Sequence, residues 1–152
     1  MKPAYVWSIV WVVVALALNG LIFALGWNTE MQGDLVRPWF MPAGWVVGLV
    51  WMVLFALVGF VFGRLRARGD GLQWGVAGLL ALCLAYPFYT AGLQEGTVAF
   101  WGCVVTLIPT LMLMVALERK DSLSTWMMLP LALWLCFATV LTWTVLGLNA
   151  GL

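Results

Sequence analysis

The charged residues of this chain stand in a few short clusters, and that spacing limits the fold more than any other feature. Uncharged stretches run from Lys2 to Glu30, Arg37 to Arg64, Asp70 to Glu95, Glu95 to Glu118, and Asp121 to the end. An apolar helix needs about 20 residues, each rising about 1.5 Å, to cross the hydrocarbon of a bilayer, and every one of these stretches supplies them. A composition 65% hydrophobic and 9% charged lies far outside the range of soluble domains. The apolar runs are continuous rather than alternating, which excludes a transmembrane barrel, and helices satisfy their backbone hydrogen bonds within the segment. The expected fold is an all-α integral membrane protein. It is a five-transmembrane-helix bundle forming a single domain over residues 1–152, with spans near 4–26, 43–64, 73–93, 97–117 and 125–148.

Lys2 followed by an apolar stretch and Ala15-Leu16-Ala17 have the outline of a secretory leader. Apolar residues continue past that point to Gly26, so the stretch reads as the first span and the expected location is a bacterial inner membrane. Basic residues in short loops set orientation. Lys2, Arg64, Arg66, Arg68, Arg119 and Lys120 fall on one side and Arg37 on the other. The expectation is a cytoplasmic N-terminus and a periplasmic C-terminus. The basic run "GRLRARGD" is read as part of this topology signal, and no nucleic-acid partner is expected.

The spans contain no ionisable pathway of the kind a pump or ion-coupled carrier requires. The chain has no histidine, and its six acidic residues sit in loops or at span ends. Zinc, di-iron and histidine-ligated haem sites therefore cannot be built inside the membrane, and acid–base catalysis there is unsupported. Cys83, Cys103 and Cys136 fall in three different spans and read as small core residues. Neither a resident cofactor nor a metal is required.

Aromatic surface is what the spans do offer. Of the eleven tryptophans, Trp7, Trp27, Trp39, Trp45, Trp74 and Trp126 lie near span ends, where the amphipathic indole collects at the headgroup level. Trp51, Trp134 and Trp143 are expected deeper. Trp51 and Phe55 share a face of the second span, and Pro130, Trp134, Phe137, Ala138 and Leu141 follow one helical stripe on the fifth. Facing each other, the two stripes would wall a flat, aromatic pocket. Gly44-x-x-x-Gly48, Gly59-x-x-x-Gly63 and the ladder Ala77, Ala81, Ala85 are small-residue faces that let helices approach closely. The glycines suit intramolecular packing, and the alanine ladder is the candidate homodimer face.

"RPWFMPAGWVVGLVWMVLFALVG" resembles the loop-one to helix-two signature of the TspO/MBR family, the tryptophan-rich sensory proteins and translocator proteins. "LPLALWLCFATVLTWTVLGLN" resembles its fifth-helix signature. The resemblance implies a five-helix bundle, usually dimeric, with a pocket beneath loop one for porphyrins and other flat hydrophobic ligands. It assigns Pro38, Trp39 and Pro42 to the loop-one motif, Trp51 to the second-helix pocket tryptophan, and Pro130, Trp134, Phe137, Ala138 and Leu141 to helix five. Phe55 stands where the family usually has tyrosine, Leu131 where a tyrosine follows the proline, and Thr142 where asparagine is common. Cys83 and Tyr86 replace an asparagine and a tryptophan on helix three, Tyr86 being kept in the expected ligand set. Residues 138–152 contain neither tyrosine nor a basic residue, so the steroid-recognition pattern of some members is missing.

The leading expectation is a membrane-embedded binding protein, a sensor or translocator for tetrapyrroles. The plate would stack on Trp51, Phe55 and Trp134, with its acidic edge toward Arg37 and the N-terminal dipole of the second helix. Two alternatives are a non-catalytic subunit or assembly factor of a larger pigment or respiratory complex, and light-dependent porphyrin breakdown. The expected partners are the lipid bilayer, a hydrophobic small molecule, and a second copy of the chain or a larger membrane complex.

Overall fold

The computed structural model describes residues 3–25, 36–93 and 96–150. Lys2, Gly26, Trp27, Glu30 and Glu95, which entered the reading of charge, span ends and interface, lie outside the described residues. Among those described there are five helices and no strand: α1 (Ala4–Ala24), α2 (Gly44–Ala67), α3 (Leu72–Leu93), α4 (Gly96–Glu118) and α5 (Ser122–Asn149). All five are long and apolar enough to cross a membrane. The fold class is thus the expected one. α5 begins three residues earlier than the sequence suggested, because the chain turns as soon as Asp121 has bonded back to Leu117.

The turns follow from local chemistry. At the end of α2 the Asp70 N–H reaches the Leu65 carbonyl at 3.0 Å and the Gly69 N–H reaches that of Arg66 at 3.2 Å. This Schellman-type cap needs a left-handed residue, and Gly69 supplies it at φ 67°. The Asp70 carboxylate then accepts the Leu72 N–H at 2.9 Å, starting α3. In loop 1 the Met41 N–H bonds the Pro38 carbonyl at 3.0 Å, a turn with Trp39 and Phe40 at its centre. Pro42 precedes the extended N-cap Ala43 and so leads into α2 without interrupting its ladder.

α1 packs chiefly on α2, and α5 chiefly on α4; α3 bridges α2 and α4, and α2 also meets α5. The α1–α2 contact is a close backbone approach. A Cβ on Gly59 would lie 3.0 Å from the Trp7 carbonyl oxygen, and one on Gly63 would lie 2.6 Å from that of Ala4. The Gly59/Gly63 face is intramolecular, as the sequence suggested, whereas Gly44 and Gly48 are exposed and a Cβ on either would meet nothing within 4 Å, so that pair makes no such approach. Phe62 fills the seam, edge-on to Trp7 and Trp11 at 5.0 and 6.0 Å.

The core is not evenly distributed. Leu54, Val58, Val61 and Leu65 of α2 pack with Val76, Leu79 and Leu80 of α3, Leu113 and Leu117 of α4, and Met128, Leu131 and Leu135 of α5. Consecutive helices run antiparallel, so these segments all lie in the half of the bundle nearest the α2–α3 and α4–α5 turns. Dispersion between close-packed side chains holds this half, since lipid outside is as apolar as the core. Charge closes the same end. Arg64 donates to both carboxylate oxygens of Asp121 at 3.0 Å, Arg68 lies 3.1 Å from the same carboxylate, and the Ser124 hydroxyl donates to it at 2.6 Å. Lys120 pairs with Asp70 at 3.2 Å.

Candidate functional site

The other half of the bundle, toward loop 1, is hollow. A cavity of about 130 Å³ lies among α2, α3, α4 and α5 and is walled by Pro42, Val47, Trp51, Cys83, Tyr86, Cys103, Thr106, Trp134, Leu135, Phe137, Ala138, Leu141 and Thr142. A second, of about 280 Å³, lies among α1, α2 and α3; it shares Val47, Trp51, Cys83 and Tyr86 with the first and adds Asn19, Gly48, Phe55 and Thr90 among others. Trp51 and Tyr86 therefore stand between two chambers. Two tilted ring pairs stand at these walls: Trp134–Phe137 at 5.4 Å bounds the first chamber, and Trp51, common to both, pairs at 5.7 Å with Phe55 of the second.

The walls carry few available polar groups because their hydroxyls bond locally. Thr106 donates to the Gly102 carbonyl at 2.8 Å, Thr142 to that of Ala138 at 2.9 Å, and Thr90 to that of Tyr86 at 2.7 Å. Such back-bonding satisfies a hydroxyl where no water reaches. The Tyr86 hydroxyl faces α4, donating to the Ala99 carbonyl at 3.3 Å and accepting from the Cys103 thiol at 3.4 Å. Asn19 is turned to the Ala15 carbonyl at 2.9 Å through its amide nitrogen.

Of the expected ligand residues, Pro42, Trp51, Tyr86, Trp134, Phe137, Ala138 and Leu141 converge on the first chamber, and Phe55 lines the second. Three loop-1 residues stand elsewhere. Arg37 is exposed and outside both walls, and Pro38 is buried within the loop. Trp39 is 95% exposed. The turn that sends Trp39 outward sends its neighbour Phe40 inward, edge-on to Phe137 with centroids 6.4 Å apart. Trp143, expected deep, is 64% exposed and lies against Phe100 on the outer side of α5. Pro130 likewise faces outward. Ala81 and Ala85 are exposed and Ala77 half-buried, which places the alanine ladder along the outside of α3.

Several wall residues were not marked as ligand contacts in the sequence. Cys83 and Cys103 read as core, and both are buried, yet each borders the chamber, while Cys136 faces outward. In the sequence Thr142 stands out only as a departure from the resemblance, and Asn19, Val47 and Thr106 carry no signal. The position of Leu131, another departure, is immaterial to the chamber because its side chain is in the core.

These elements define an integral membrane protein of five helices, packed solid at one end and holding aromatic-walled chambers at the other. The chain belongs to the TspO/MBR family, whose sequence model matches residues 8–148. It is 27% identical to the tryptophan-rich protein TspO of Bacillus cereus over 76% of this chain and 78% of that one. It is similar to TspO of Chlorobaculum tepidum at 27% identity, over 76% of this chain and 77% of that one. The uncharacterized membrane protein YtaB of Bacillus subtilis is 24% identical, over 80% of this chain and 82% of its own length.

Proposed function

We propose that the two chambers together bind a flat hydrophobic ligand of the tetrapyrrole class, and that the protein acts as a sensor or translocator of it in a bacterial inner membrane, its N-terminus cytoplasmic. The observation that carries this reading is the sharing of one aromatic wall, Trp51 with Tyr86, by both cavities. Pockets for drug-sized ligands commonly enclose roughly 300–1,000 Å³, so a plate of that size needs the two volumes joined. A turn of the Trp51 indole joins them, leaving Phe55 on one side and Trp134 with Phe137 on the other for stacking. α2 begins at Gly44 beside this space with no acidic residue and no side-chain cap on its first turn. The positive end of its dipole suits the anionic edge of a porphyrin.

Titration of the detergent-solubilised protein with a porphyrin, followed by tryptophan fluorescence, tests the reading. Saturable quenching is expected, with the dissociation constant raised about tenfold in Trp51→Ala, equivalent to ~1.4 kcal/mol. Loss of aromatic stacking is worth about this much. An unchanged dissociation constant in the variant would count against the chamber as the binding site. Pigment-free protein that travels with a larger complex in mild detergent would instead support a subunit or assembly role.

A further inference from the structure

We infer that the ligand reaches the chamber sideways from the bilayer, through the seam between α2 and α5, with Trp134 and Phe137 as the partition that swings aside. The inference rests on the reading of the chamber as a site for a hydrophobic ligand and adds the route by which that ligand arrives. On the outside of the bundle, a groove of about 450 Å³ runs between α2 and α5, lined by Leu49, Val50, Val53, Leu54, Pro130, Leu133, Trp134 and Phe137. Trp134 and Phe137 also line the inner chamber. The same two rings therefore have lipid-facing groove on one side and cavity on the other.

The seam is thinly packed compared with those on its two flanks. α2 is backed mainly by α1, and α5 mainly by α4, while α2 and α5 meet less extensively. The partition is held by ring packing: Trp134 on Phe137 at 5.4 Å and Phe137 on Phe40 at 6.4 Å. Moving it breaks apolar contacts that an apolar ligand replaces at once. At the loop end, by contrast, Asn149 is hydrogen-bonded to both backbone groups of Val36. A flat hydrophobic molecule partitions into the hydrocarbon, where the groove meets it directly. Leu133 and Val53 are exposed in the groove and absent from the chamber wall, so they can be enlarged without altering the site.

The test uses the whole protein in phosphatidylcholine vesicles containing a flat aryl diazirine dissolved in the bilayer. Light expels dinitrogen, and the carbene inserts into a nearby S–H or O–H bond, forming one C–S or C–O bond and one C–H bond. Label on Cys103 and Tyr86, inside the chamber, is measured by mass spectrometry relative to label on Cys136, which faces lipid. Leu133→Trp and Val53→Trp are each expected to lower this ratio several-fold, and Asn149→Ala to leave it unchanged. An absence of chamber label in the wild type would overturn the portal. So would a ratio indifferent to both groove substitutions, or one that rises in Asn149→Ala. Porphyrin uptake in the same vesicles supplies the second arm: both groove variants should slow association and dissociation together at a constant dissociation constant. Chamber labelling that responds to the groove, without any porphyrin binding, would remove the ligand class and leave the portal standing.

Discussion

The carboxamide of Asn149, in the last turn of α5, closes on the backbone of Val36: its oxygen accepts the Val36 N–H at 2.9 Å and its nitrogen donates to the Val36 carbonyl at 3.1 Å. The residues are 113 positions apart, and the pair ties the middle of loop 1 to the end of α5. Each neutral, exposed hydrogen bond contributes about 0.5–1.5 kcal/mol. Asn149→Ala should therefore change the melting temperature little while raising amide exchange at Val36 and through the turn that follows. Hydrogen-exchange mass spectrometry reads this directly, and an unchanged Val36 amide would show that the pair does not hold the loop. Asn149→Asp keeps the acceptor and loses the donor, so its effect should be intermediate.

The Arg64–Asp121 pair makes stability depend on acid. Asp121 is held down to a pKa of about 2, first by hydrogen bonds from Arg64 and then by Ser124 and the charge of Arg68, while burial works in the opposite direction. An unfolded aspartate titrates near 3.9, so the stabilisation is complete above roughly pH 4 and is lost as pH falls toward the folded value. Asp70 acts in the same direction, its carboxyl lowered by the Leu72 N–H and then by Lys120. Asp121→Asn should cost about 2 kcal/mol at neutral pH, the range for hydrogen bonds to a charged group. It should also flatten most of the acid dependence, leaving the smaller slope from Asp70. Thermal unfolding in detergent across this pH range measures both, and an equal slope in the variant would assign the acid sensitivity elsewhere.

Glycine positions that look alike in sequence should respond oppositely to alanine. A Cβ at Gly63 would meet the Ala4 carbonyl oxygen at 2.6 Å and its Cα at 2.8 Å, backbone atoms that yield only if α1 and α2 move apart. A Cβ at Gly48 meets nothing within 4 Å. Overpacking costs about 1–3 kcal/mol, against a gain of roughly 0.5–1 kcal/mol for alanine over glycine in a helix. Gly63→Ala should lower the melting temperature, and Gly48→Ala should leave it level or raise it. Equal shifts in the two variants would contradict the close α1–α2 approach.

Charge spacing revealed the five spans because a bilayer punishes unpaired charge within a span but tolerates it at the ends. The stripe from Trp134 to Leu141 and the position of Trp51 were legible because aromatic residues at helical spacing remain visible in a uniformly apolar segment. The direction each stripe faces was less so. Lipid is as apolar as the bundle interior, so hydropathy does not distinguish the outward Trp143 from the inward Trp134, two and a half turns away. Loop 1 shows the complementary difficulty: Trp39 and Phe40 are neighbours, and only the turn closed by Met41 on Pro38 decides which of them meets α5. Cys83, Cys103 and Thr142 became chamber walls through the packing of three helices, and the pairing of Arg64 with Asp121 spans 57 residues. None of these is written in a local pattern.

The division of the hollow half by Trp51 leads to the most discriminating substitution. Gly48 lines the second cavity and not the first, and its missing Cβ points into open space. Gly48→Leu therefore starts from an unobstructed Cβ and adds bulk at the wall of the cavity of about 280 Å³, at a position that does not line the first chamber. If the bound plate spans both volumes, the added isobutyl group occupies space that the ligand needs. Affinity for porphyrin should then fall about tenfold, ~1.4 kcal/mol, while the melting temperature holds or rises because a void has been filled. The opposite pairing, full affinity with a raised melting temperature, would confine the ligand to the first chamber. At about 130 Å³ that chamber is too small for a tetrapyrrole, so the ligand class would have to be revised toward a smaller aromatic molecule.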